Sequence, residues 1–442
     1  MYQRPGRLPL FPDTTTIQND SLHVAGHDLS ALAERYGTPL YIYDRHTLDA
    51  AAQRYKDALR AHYPAGASVT YAGKAFFCLA AAEWVSQQGF RLDCTGEAEI
   101  AVAVEARLAS DGILVHGVNK STADLEAAVQ HAGTVVVDSP GELQRLAELL
   151  RRGTRRENNG GPPSVWLRFQ PGLAVQTHHE YTRTGQSGSK FGMTEAEMLQ
   201  AAKSARAARL SLDGIHFHQG SNFQDAAPVL RAINLGIRLA KEMVLPDIWH
   251  FCPGGGWGVA YHEDDLPQPD IDEYVQVIAR EVVRRCRQYG LGLPILHLEP
   301  GRSLIARAGV ALYRVGAVKR GKERAWLLVD GGMADNPRYA LYGARYSCLP
   351  VRGLGRLMTE TVSIGGPHCE SGDVLIEDLL MPPIEEGELL AVPVSGAYQL
   401  SMASNYNGAR RPAAVWLEKG RSRLILRRET TEDLAQRQLS IL

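Results

Sequence analysis

Two residues of the sequence carry side chains that could take part in cofactor chemistry. Lys74 ends the apolar run VTYAGK, and Glu299 opens the sequence EPGR after another apolar run. A desolvated lysine amine can form a Schiff base with an aldehyde, whereas most lysines at strand ends extend into water. A glutamate beside a pyridine nitrogen keeps that ring protonated, whereas a surface glutamate before a Pro-Gly turn has no such role. Each residue therefore has a catalytic and a structural interpretation.

Glycines cluster where a phosphate could bind. Three adjacent glycines occupy positions 254–256 at the end of one apolar run, and Gly301 and Arg302 follow another. Without a Cβ, backbone N–H groups can approach phosphate oxygens closely, although a glycine run is more often a simple turn. Ser221, in the sequence HFHQGSN, can offer one further hydrogen-bond donor. The pattern favours an anion site without defining it.

Two histidines, His216 and His218, form an H-x-H pattern. Residues i and i+2 of a strand point to the same face, so the pair could bind a metal, with His178 or His179 as a further ligand. Alternatively, one histidine packs flat on a ring, or both lie in the core. A metal-dependent barrel hydrolase built on His216 and His218 is therefore the alternative function of a different class.

The last third of the sequence offers further polar side chains in loops. The sequence GPHCESGD contains Cys369 and Glu370. Arg338 and Tyr342 lie four residues apart in NPRYALYGARY, and GAYQLSMASNYN contains Tyr398. A single cysteine beside acidic residues is usually inert, and each of these residues has an ordinary surface interpretation.

Hydrophobic periodicity predicts the elements that position these residues. Eight apolar runs alternate with segments whose apolar residues recur near i, i+3, i+4 and i+7, as in amphipathic helices. Parallel strands covered on both faces read as continuous apolar runs, so we expect a (β/α)₈ barrel, with a doubly wound open sheet as the alternative. The predicted strands span 68–74, 91–94, 112–117, 134–139, 164–171, 212–220, 248–256 and 294–302.

The ends of these strands define the predicted active site. In a (β/α)₈ barrel, catalytic groups lie at the C-terminal ends of the strands. The polar groups found there are Lys74, Asp93, His116, Asp138, Arg168, His218, the glycines at 254–256, Glu299 and Arg302. A packed barrel without a function has no need of so many ionisable groups on one rim.

The alternation of apolar runs and helical segments ends after residue 308. Strand-length apolar runs follow one another with short turns and no long helix, which predicts an all-β domain, either a sandwich or a small barrel. The protein is thus expected to be of the α/β class, with a barrel over residues 38–305 and a β domain formed by 1–37 and 306–442. The segment TTEDLAQRQL predicts a final helix capped by Thr430 or Thr431.

Composition excludes several classes of protein. The sequence has 48 Lys and Arg against 49 Asp and Glu, so its net charge of −1 gives no attraction to nucleic acid or an anionic membrane. No run approaches the ~20 apolar residues of a membrane span, and three prolines interrupt the N-terminus where a signal peptide is apolar. Six scattered cysteines without a C-x-x-C pair are typical of reduced thiols. We therefore expect a cytoplasmic location.

Eight motifs taken together resemble the fold-type III pyridoxal-phosphate decarboxylases, most closely those that act on diaminopimelate. The resemblance extends from about residue 38 to 435 and favours the barrel over the open sheet. The motifs are, in order, YAGKA, SGSKFGM, HFHQGS, GGGWGVAY, EPGRSLIARAG, DGGMADNPRYALYGARY, GPHCESGD and GAYQLSMASNYN.

The resemblance implies a role for each matching position. Lys74 would carry pyridoxal phosphate covalently, His218 would stack on its ring, and Glu299 would pair with the pyridine nitrogen. The remaining cofactor-binding residues would be Ser221, Gly254, Gly255, Gly256, Gly301, Arg302 and Tyr398. The substrate would be bound by Arg302, Arg338, Tyr342, Glu370 and Tyr398. Cys369 would donate the proton, and Cys369 and Glu370 would reach the site of a neighbouring subunit, which implies a homodimer.

The expected reaction is the decarboxylation of meso-2,6-diaminopimelate to L-lysine, the last step of lysine biosynthesis. Two arginines and a tyrosine with a carboxylate would read a distal group that is both anionic and cationic, as an amino-acid end is. Ornithine offers only an ammonium at that end, so the arginines would have no partner. A related decarboxylase acting on ornithine, a D-amino acid or carboxynorspermidine is the alternative within the same family.

Overall fold

The computed structural model describes residues 6–153, 161–173, 185–186, 188–322 and 324–441. These residues form two compact units. The barrel unit consists of Ala52–Gly258 and Asp270–Gly301. The β unit consists of the described residues of Met1–Ala51, Val259–Pro269 and Arg302–Leu442.

The N-terminal elements precede the barrel. They are β1 Thr16–Gln18, β2 Ser21–Val24, β3 His27–Asp28, α1 Leu29–Tyr36, β4 Leu40–Asp44 and α2 Arg45–His62. Strands β1 to β3 form a small antiparallel sheet. The Asp28 carboxylate accepts a hydrogen bond from the backbone N–H of Ser30 and so caps the first helix.

Eight parallel strands close into a barrel. Each strand pairs with the next along the chain, and the eighth pairs with the first. The strands are β5 Ala67–Ala72, β6 Arg91–Cys94, β7 Ile113–Val115, β8 Thr134–Val137, β9 Ser164–Arg168, β10 Leu212–His216, β11 His250–Cys252 and β12 Ile295–Leu298. The intervening helices are α3 Leu79–Gln87, α4 Glu97–Glu105, α5 Thr122–His131, α6 Pro140–Arg151, α7 Glu195–Ala207, α8 Ala227–Met243 and α9 Ile271–Tyr289. The predicted barrel is confirmed, and the doubly wound alternative is wrong because the pairing of β12 with β5 leaves no open edge.

Trp166 fills the interior of the barrel. Its indole is fully buried and packs with Leu114, Val136 and Cys252. Gly214, paired with Trp166 on the neighbouring strand, leaves the necessary space, since a Cβ there would lie 2.3 Å from the indole. Because side chains alternate along a strand, Arg168 faces the same interior as Trp166, two residues later.

A pair of histidines lies beside the same indole, with His297 buried and His250 half-buried. Nδ1 of His250 lies 2.8 Å from Nε2 of His297, and the His250 ring stacks on Trp166 at 5.3 Å between centroids. Burial, together with the nearby guanidinium of Arg91, lowers the pKa of His250 to about 4. The folded barrel therefore keeps both imidazoles neutral, and one ring donates a hydrogen bond to the other.

We expect the free energy of unfolding to decrease as the pH falls from 6.5, the ordinary pKa of histidine, towards about 4. In that range the unfolded chain binds a proton at His250 that the folded chain does not, which favours unfolding. Urea unfolding followed by tryptophan fluorescence at several pH values measures this slope. His250→Gln should reduce it by up to about one proton. An unchanged slope in the variant would contradict the assignment.

The β unit contains a mixed sheet. In this sheet, the strands run in the order β17-β16-β14-β13-β4-β19-β20, and β15 and β18 are attached through β13. The elements are α10 Arg302–Ile305, β13 Gly309–Arg320, β14 Ala325–Val329, α11 Arg338–Tyr342, β15 Leu349–Pro350, β16 Glu360–Gly365, β17 Val374–Met381, β18 Leu389–Val392, β19 Ala413–Glu418, β20 Arg421–Leu426 and α12 Thr431–Ala435. The predicted β-rich second domain and the helix cap at Thr430 are confirmed.

Strand β4 belongs to this sheet. Leu40 and Ile42 pair with β13 and β19, and their fully buried side chains join the core of the β unit. The sequence pattern predicts that residues 38–51 belong to the barrel, whereas chain contacts place them in the β unit. The reason is that a single buried strand carries no local sign of the sheet it joins.

In the part of the chain that the structure describes, every helix is too short or too polar to span a membrane.

Candidate active site

Glu299 lies between two histidines at the end of β12. Nε2 of His116 is 2.9 Å from Oε1, and Nε2 of His216 is 3.0 Å from Oε2. The two imidazole rings contact each other at 4.5 Å between centroids, and Glu299 is only 7% exposed. Each oxygen of the carboxylate can therefore accept a hydrogen bond from one imidazole Nε2–H.

The histidines decide the charge of this carboxylate. Burial alone would raise the pKa of Glu299, but His216 and His116 outweigh it and hold the pKa well below its usual range. Burial lowers the pKa of His216 to about 3, against the attraction of Glu299. At neutral pH the arrangement is thus an ionised carboxylate that accepts a hydrogen bond from the neutral imidazole of His216.

Two further carboxylates extend the charged rim. Oδ1 of Asp93 lies 3.9 Å from Nε2 of His116, and Oδ1 of Asp138 lies 3.4 Å from Nη1 of Arg168. Burial raises the pKa of Asp93, although His116 and the Lys74 ammonium favour its charged form. The ends of six strands, β6 to β10 and β12, thus supply these ionisable groups.

The glycine loop approaches neighbouring backbone too closely for any side chain. A Cβ at Gly255 would lie 1.9 Å from the carbonyl oxygen of Glu299, and one at Gly256 would lie 2.1 Å from that of Gly220. Gly254 and Gly256 have φ of +76° and +101°, where other residues are strained. The backbone N–H of Gly255 donates to Nδ1 of His218 at 3.3 Å. This loop therefore presents bare backbone at the barrel rim and orients the His218 ring.

Gly255→Ala is expected to lower the free energy of unfolding by ~1–3 kcal/mol, because the new methyl group must displace backbone. Urea unfolding of the purified variant measures the loss. The matched control is Gly292→Ala in the same unit, since no atom lies within 4 Å of a Cβ built at Gly292. Equal stability of the two variants would contradict the close packing of the loop.

Lys74 lies on a single 3-10 turn, Gly73–Ala75, directly after β5. Its side chain is exposed, whereas Gly73 and Ala75 are buried. The turn is fixed from two sides, since a Cβ on Gly73 would lie 2.8 Å from the carbonyl oxygen of Asp93, and one on Gly301 would lie 3.0 Å from the Cβ of Ala75. The backbone therefore holds the lysine at the rim while its amine remains accessible. Ser221 is half-buried in the loop after β10.

Two arginines of the β unit are surrounded by tyrosines. Arg302 begins α10 and Arg338 begins α11, and both are buried. The Arg302 guanidinium lies 4.6 Å from the ring centroid of Tyr398, whose φ of +58° is unusual for a tyrosine. Tyr342 is half-buried on α11, one turn after Arg338. These four predicted substrate residues thus come from three separate segments of one unit.

Cys369 and Glu370 lie on an exposed loop that Asp373 holds in place. The buried Asp373 carboxylate accepts hydrogen bonds from the backbone N–H of His368 at 2.8 Å and of Met333 at 2.6 Å. The N–H of Cys369 donates to Oδ1 of Asn407 at 3.2 Å. The thiol is thus presented to solvent on a fixed backbone.

Comparison with known proteins identifies the family. Residues 45–306 match the family model of the pyridoxal-dependent decarboxylases, pyridoxal binding domain. The chain is 38% identical to the diaminopimelate decarboxylase of Synechocystis, with 96% of this chain and 92% of the relative aligned. The chain belongs to the diaminopimelate decarboxylase family. It is also 39% identical to the Bacillus subtilis enzyme of that name, over 95% of both chains.

A solved structure agrees with this family over the whole fold. The diaminopimelate decarboxylase of M. jannaschii in complex with L-lysine superposes with a TM-score of 0.86 at 29% identity, covering 97% of this chain and 98% of that one. The architecture of a parallel barrel and a mixed β-sheet is therefore that of a diaminopimelate decarboxylase.

The residues at the barrel rim fit the pyridoxal phosphate that this family uses. Lys74 offers an accessible amine, and the glycine loop offers backbone where no Cβ has room. Glu299 offers a buried carboxylate kept in its ionised form by its neighbours. An aldehyde, a phosphate and a basic ring nitrogen are the groups that these three features suit.

The predicted metal site of a hydrolase differs from what the structure brings together. In the described part of the chain, the close group of possible metal ligands is His116, His216 and Glu299, and His218 is not part of it. Strand β10 ends at His216, so the alternation expected of H-x-H does not continue to His218. His178 and His179 lie outside the described residues.

Several contacts of the candidate site could not be predicted from the sequence. His116, Asp93 and Arg168 were recognised as rim residues, but nothing in the sequence paired them with Glu299 or Asp138. Tyr261 and Tyr346, which contact the two arginines, had no assigned role. Tyr261 lies in the motif GGGWGVAY, so the motif was a usable signal.

Proposed function

We propose that this chain removes CO2 from meso-2,6-diaminopimelate to give L-lysine, with pyridoxal phosphate as its cofactor. The observation that carries this proposal is the ionised Glu299 held between His116 and His216 on the rim of a barrel of the pyridoxal-binding family. When bound, the cofactor supplies an electron sink for the pair of electrons left at carbon when CO2 departs.

The chain's own residues hold the cofactor in this proposal. Lys74 would bind its aldehyde carbon, Glu299 would pair with the ring nitrogen, and His218 would contact the ring. The phosphate would be held by Ser221, Gly254, Gly255, Gly256, Gly301 and Arg302. The hydrogen bond from Gly255 to His218 supports this assignment, because it links the phosphate loop to the ring-contacting residue.

Residues of the β unit select the substrate in this proposal. Arg302, Arg338 and Tyr342 bind the distal carboxylate, Glu370 binds the distal ammonium, and Tyr398 contacts substrate and cofactor. Arginine forks suit a carboxylate because they can donate two parallel hydrogen bonds. The burial of both guanidiniums strengthens such pairing, since water competes less for the charge.

Cys369 supplies the proton in this proposal. Its thiol donates a proton to the carbon that has lost CO2, and solvent returns one to the thiolate. Cys369 and Glu370 are exposed in a single chain, which supports a homodimer in which they serve the site of a second copy. The six cysteines are all free thiols, which supports the reducing cytoplasm as the location.

The decisive experiment measures CO2 release and L-lysine formation from meso-diaminopimelate, with and without added pyridoxal phosphate. We expect turnover that depends on the cofactor. A panel with ornithine, a D-amino acid and carboxynorspermidine tests the alternatives, and greater activity on any of them would overturn the substrate assignment. Stoichiometric zinc without bound pyridoxal phosphate would instead favour the hydrolase.

A further inference from the structure

Tyr261 lies between the two arginines of the β unit. Its ring centroid is 4.4 Å from the guanidinium carbon of Arg338 and 5.5 Å from that of Arg302. Both distances are within the range of cation–π attraction, and Tyr261 is only 4% exposed. A single buried ring therefore contacts both cations.

Hydroxyl groups fix the direction of each guanidinium. Nη1 of Arg302 donates a hydrogen bond to the hydroxyl of Tyr261, and Nη1 of Arg338 donates one to the hydroxyl of Tyr346. The two tyrosine rings meet edge to face, with centroids 5.3 Å apart and planes at 77°. Because the rings brace each other, neither guanidinium can turn without displacing buried aromatic groups.

The charge of Arg338 is not neutralised within this arrangement. Arg338 is 1% exposed and its Nε has no hydrogen-bond partner. Among the residues that the structure describes, no carboxylate lies within ion-pair distance of it. A buried cation without a counter-charge is costly, so the arrangement suits an anion from outside the chain.

We propose that Tyr261 is a positioning residue that selects the substrate by holding Arg302 and Arg338 in register for one carboxylate. This inference rests on the proposed function, because the carboxylate is the distal one of diaminopimelate. L-Lysine retains that distal amino-acid end after decarboxylation, so product binding depends on Tyr261 as well. We assign Tyr261 no contact with the carbon that loses CO2 or with the cofactor ring, and the phosphate to which Arg302 is also assigned is held by the glycine loop and Ser221 as well. The chemical step is therefore expected not to depend on Tyr261.

Tyr261→Phe tests this proposal in the holoenzyme, because it removes the hydroxyl that holds Arg302 and keeps the ring over Arg338. We expect the KM for diaminopimelate and the inhibition constant of L-lysine each to increase by about tenfold, the effect of one hydrogen bond to a charged group. We expect kcat to stay within about twofold, because chemistry in the bound state is unaffected. The absorption of the bound cofactor should be unchanged.

The matched control is Tyr63→Phe, which removes another buried tyrosine hydroxyl, one that donates to the carbonyl oxygen of Pro294 at 2.6 Å. It should leave both constants unchanged. If the wild-type enzyme is active and Tyr261→Phe has the same KM for diaminopimelate, the role of Tyr261 is wrong. A decrease in kcat without a change in KM would overturn it equally. A wild-type chain that releases no CO2 from diaminopimelate would overturn the proposed function itself, and with it the substrate invoked here.

Discussion

Lys74→Ala is expected to abolish the absorption of bound pyridoxal phosphate and to lower CO2 release by roughly 10³-fold or more. Lys74 lies on a turn whose backbone is fixed by the close packing of Gly73 and Gly301, and it is the single lysine of that turn. The turn therefore offers no second amine to replace it. Absorption spectra after gel filtration, which removes free cofactor, measure the first effect. A CO2 assay with saturating cofactor measures the second.

The spectrum separates loss of the amine from loss of the fold. Alanine at an exposed position should leave the far-UV circular dichroism unchanged, so a folded variant without cofactor absorption supports the assignment. Lys241→Ala is the matched control, because it removes an exposed lysine from helix α8 of the same unit. Retention of the cofactor absorption by Lys74→Ala would show that another residue binds the aldehyde.

Much of the barrel could be predicted because its signals are local. Each strand is a short apolar run, and the polar residue that ends it marks the rim, as Asp93 and Arg168 show. Periodicity could not exclude the doubly wound sheet, because both folds alternate apolar strands with amphipathic helices. The two folds differ in which strands pair, and the pairing of β12 with β5 closes the barrel. That choice depends on contacts between residues more than 200 positions apart.

The chemistry of the rim was less accessible to sequence reasoning. His116, His216 and Glu299 come from or follow three different strands, and only the register of the closed barrel sets their distances. The H-x-H spacing suggested that His216 and His218 bind one metal ion. Because β10 ends at His216, the two side chains have different partners, Glu299 for His216 and the backbone N–H of Gly255 for His218.

The position of Tyr261 could not be predicted for a related reason. Residues 259–269 lie within the stretch assigned to the barrel but belong to the β unit. Only there does the ring contact Arg302 and Arg338. The motif GGGWGVAY thus drew attention to Tyr261, but only its long-range contacts with the two arginines indicate the positioning role proposed for it.

Cys369→Ala is expected to lower the formation of L-lysine by about 10²–10⁴-fold, the usual contribution of a positioned proton donor. Cofactor absorption should persist, because Cys369 lies on an exposed loop of the β unit and is not among the residues assigned to the cofactor. Cys286→Ala, which removes a buried thiol from helix α9, is the control for loss of a cysteine in itself. Full activity of Cys369→Ala would exclude the thiol as donor.

Mixing Lys74→Ala with Cys369→Ala chains tests whether the site is shared between two copies. If Cys369 of the partner subunit completes each site, a mixed dimer has one site with both substitutions and one with neither. Random pairing makes about half of the dimers mixed, so about a quarter of the wild-type activity should return after the chains are dissociated and reassociated. Lys74→Ala mixed with the doubly substituted chain should recover nothing, because no intact site can form. The absence of recovery in a verified mixed dimer would place Lys74 and Cys369 in the site of one chain.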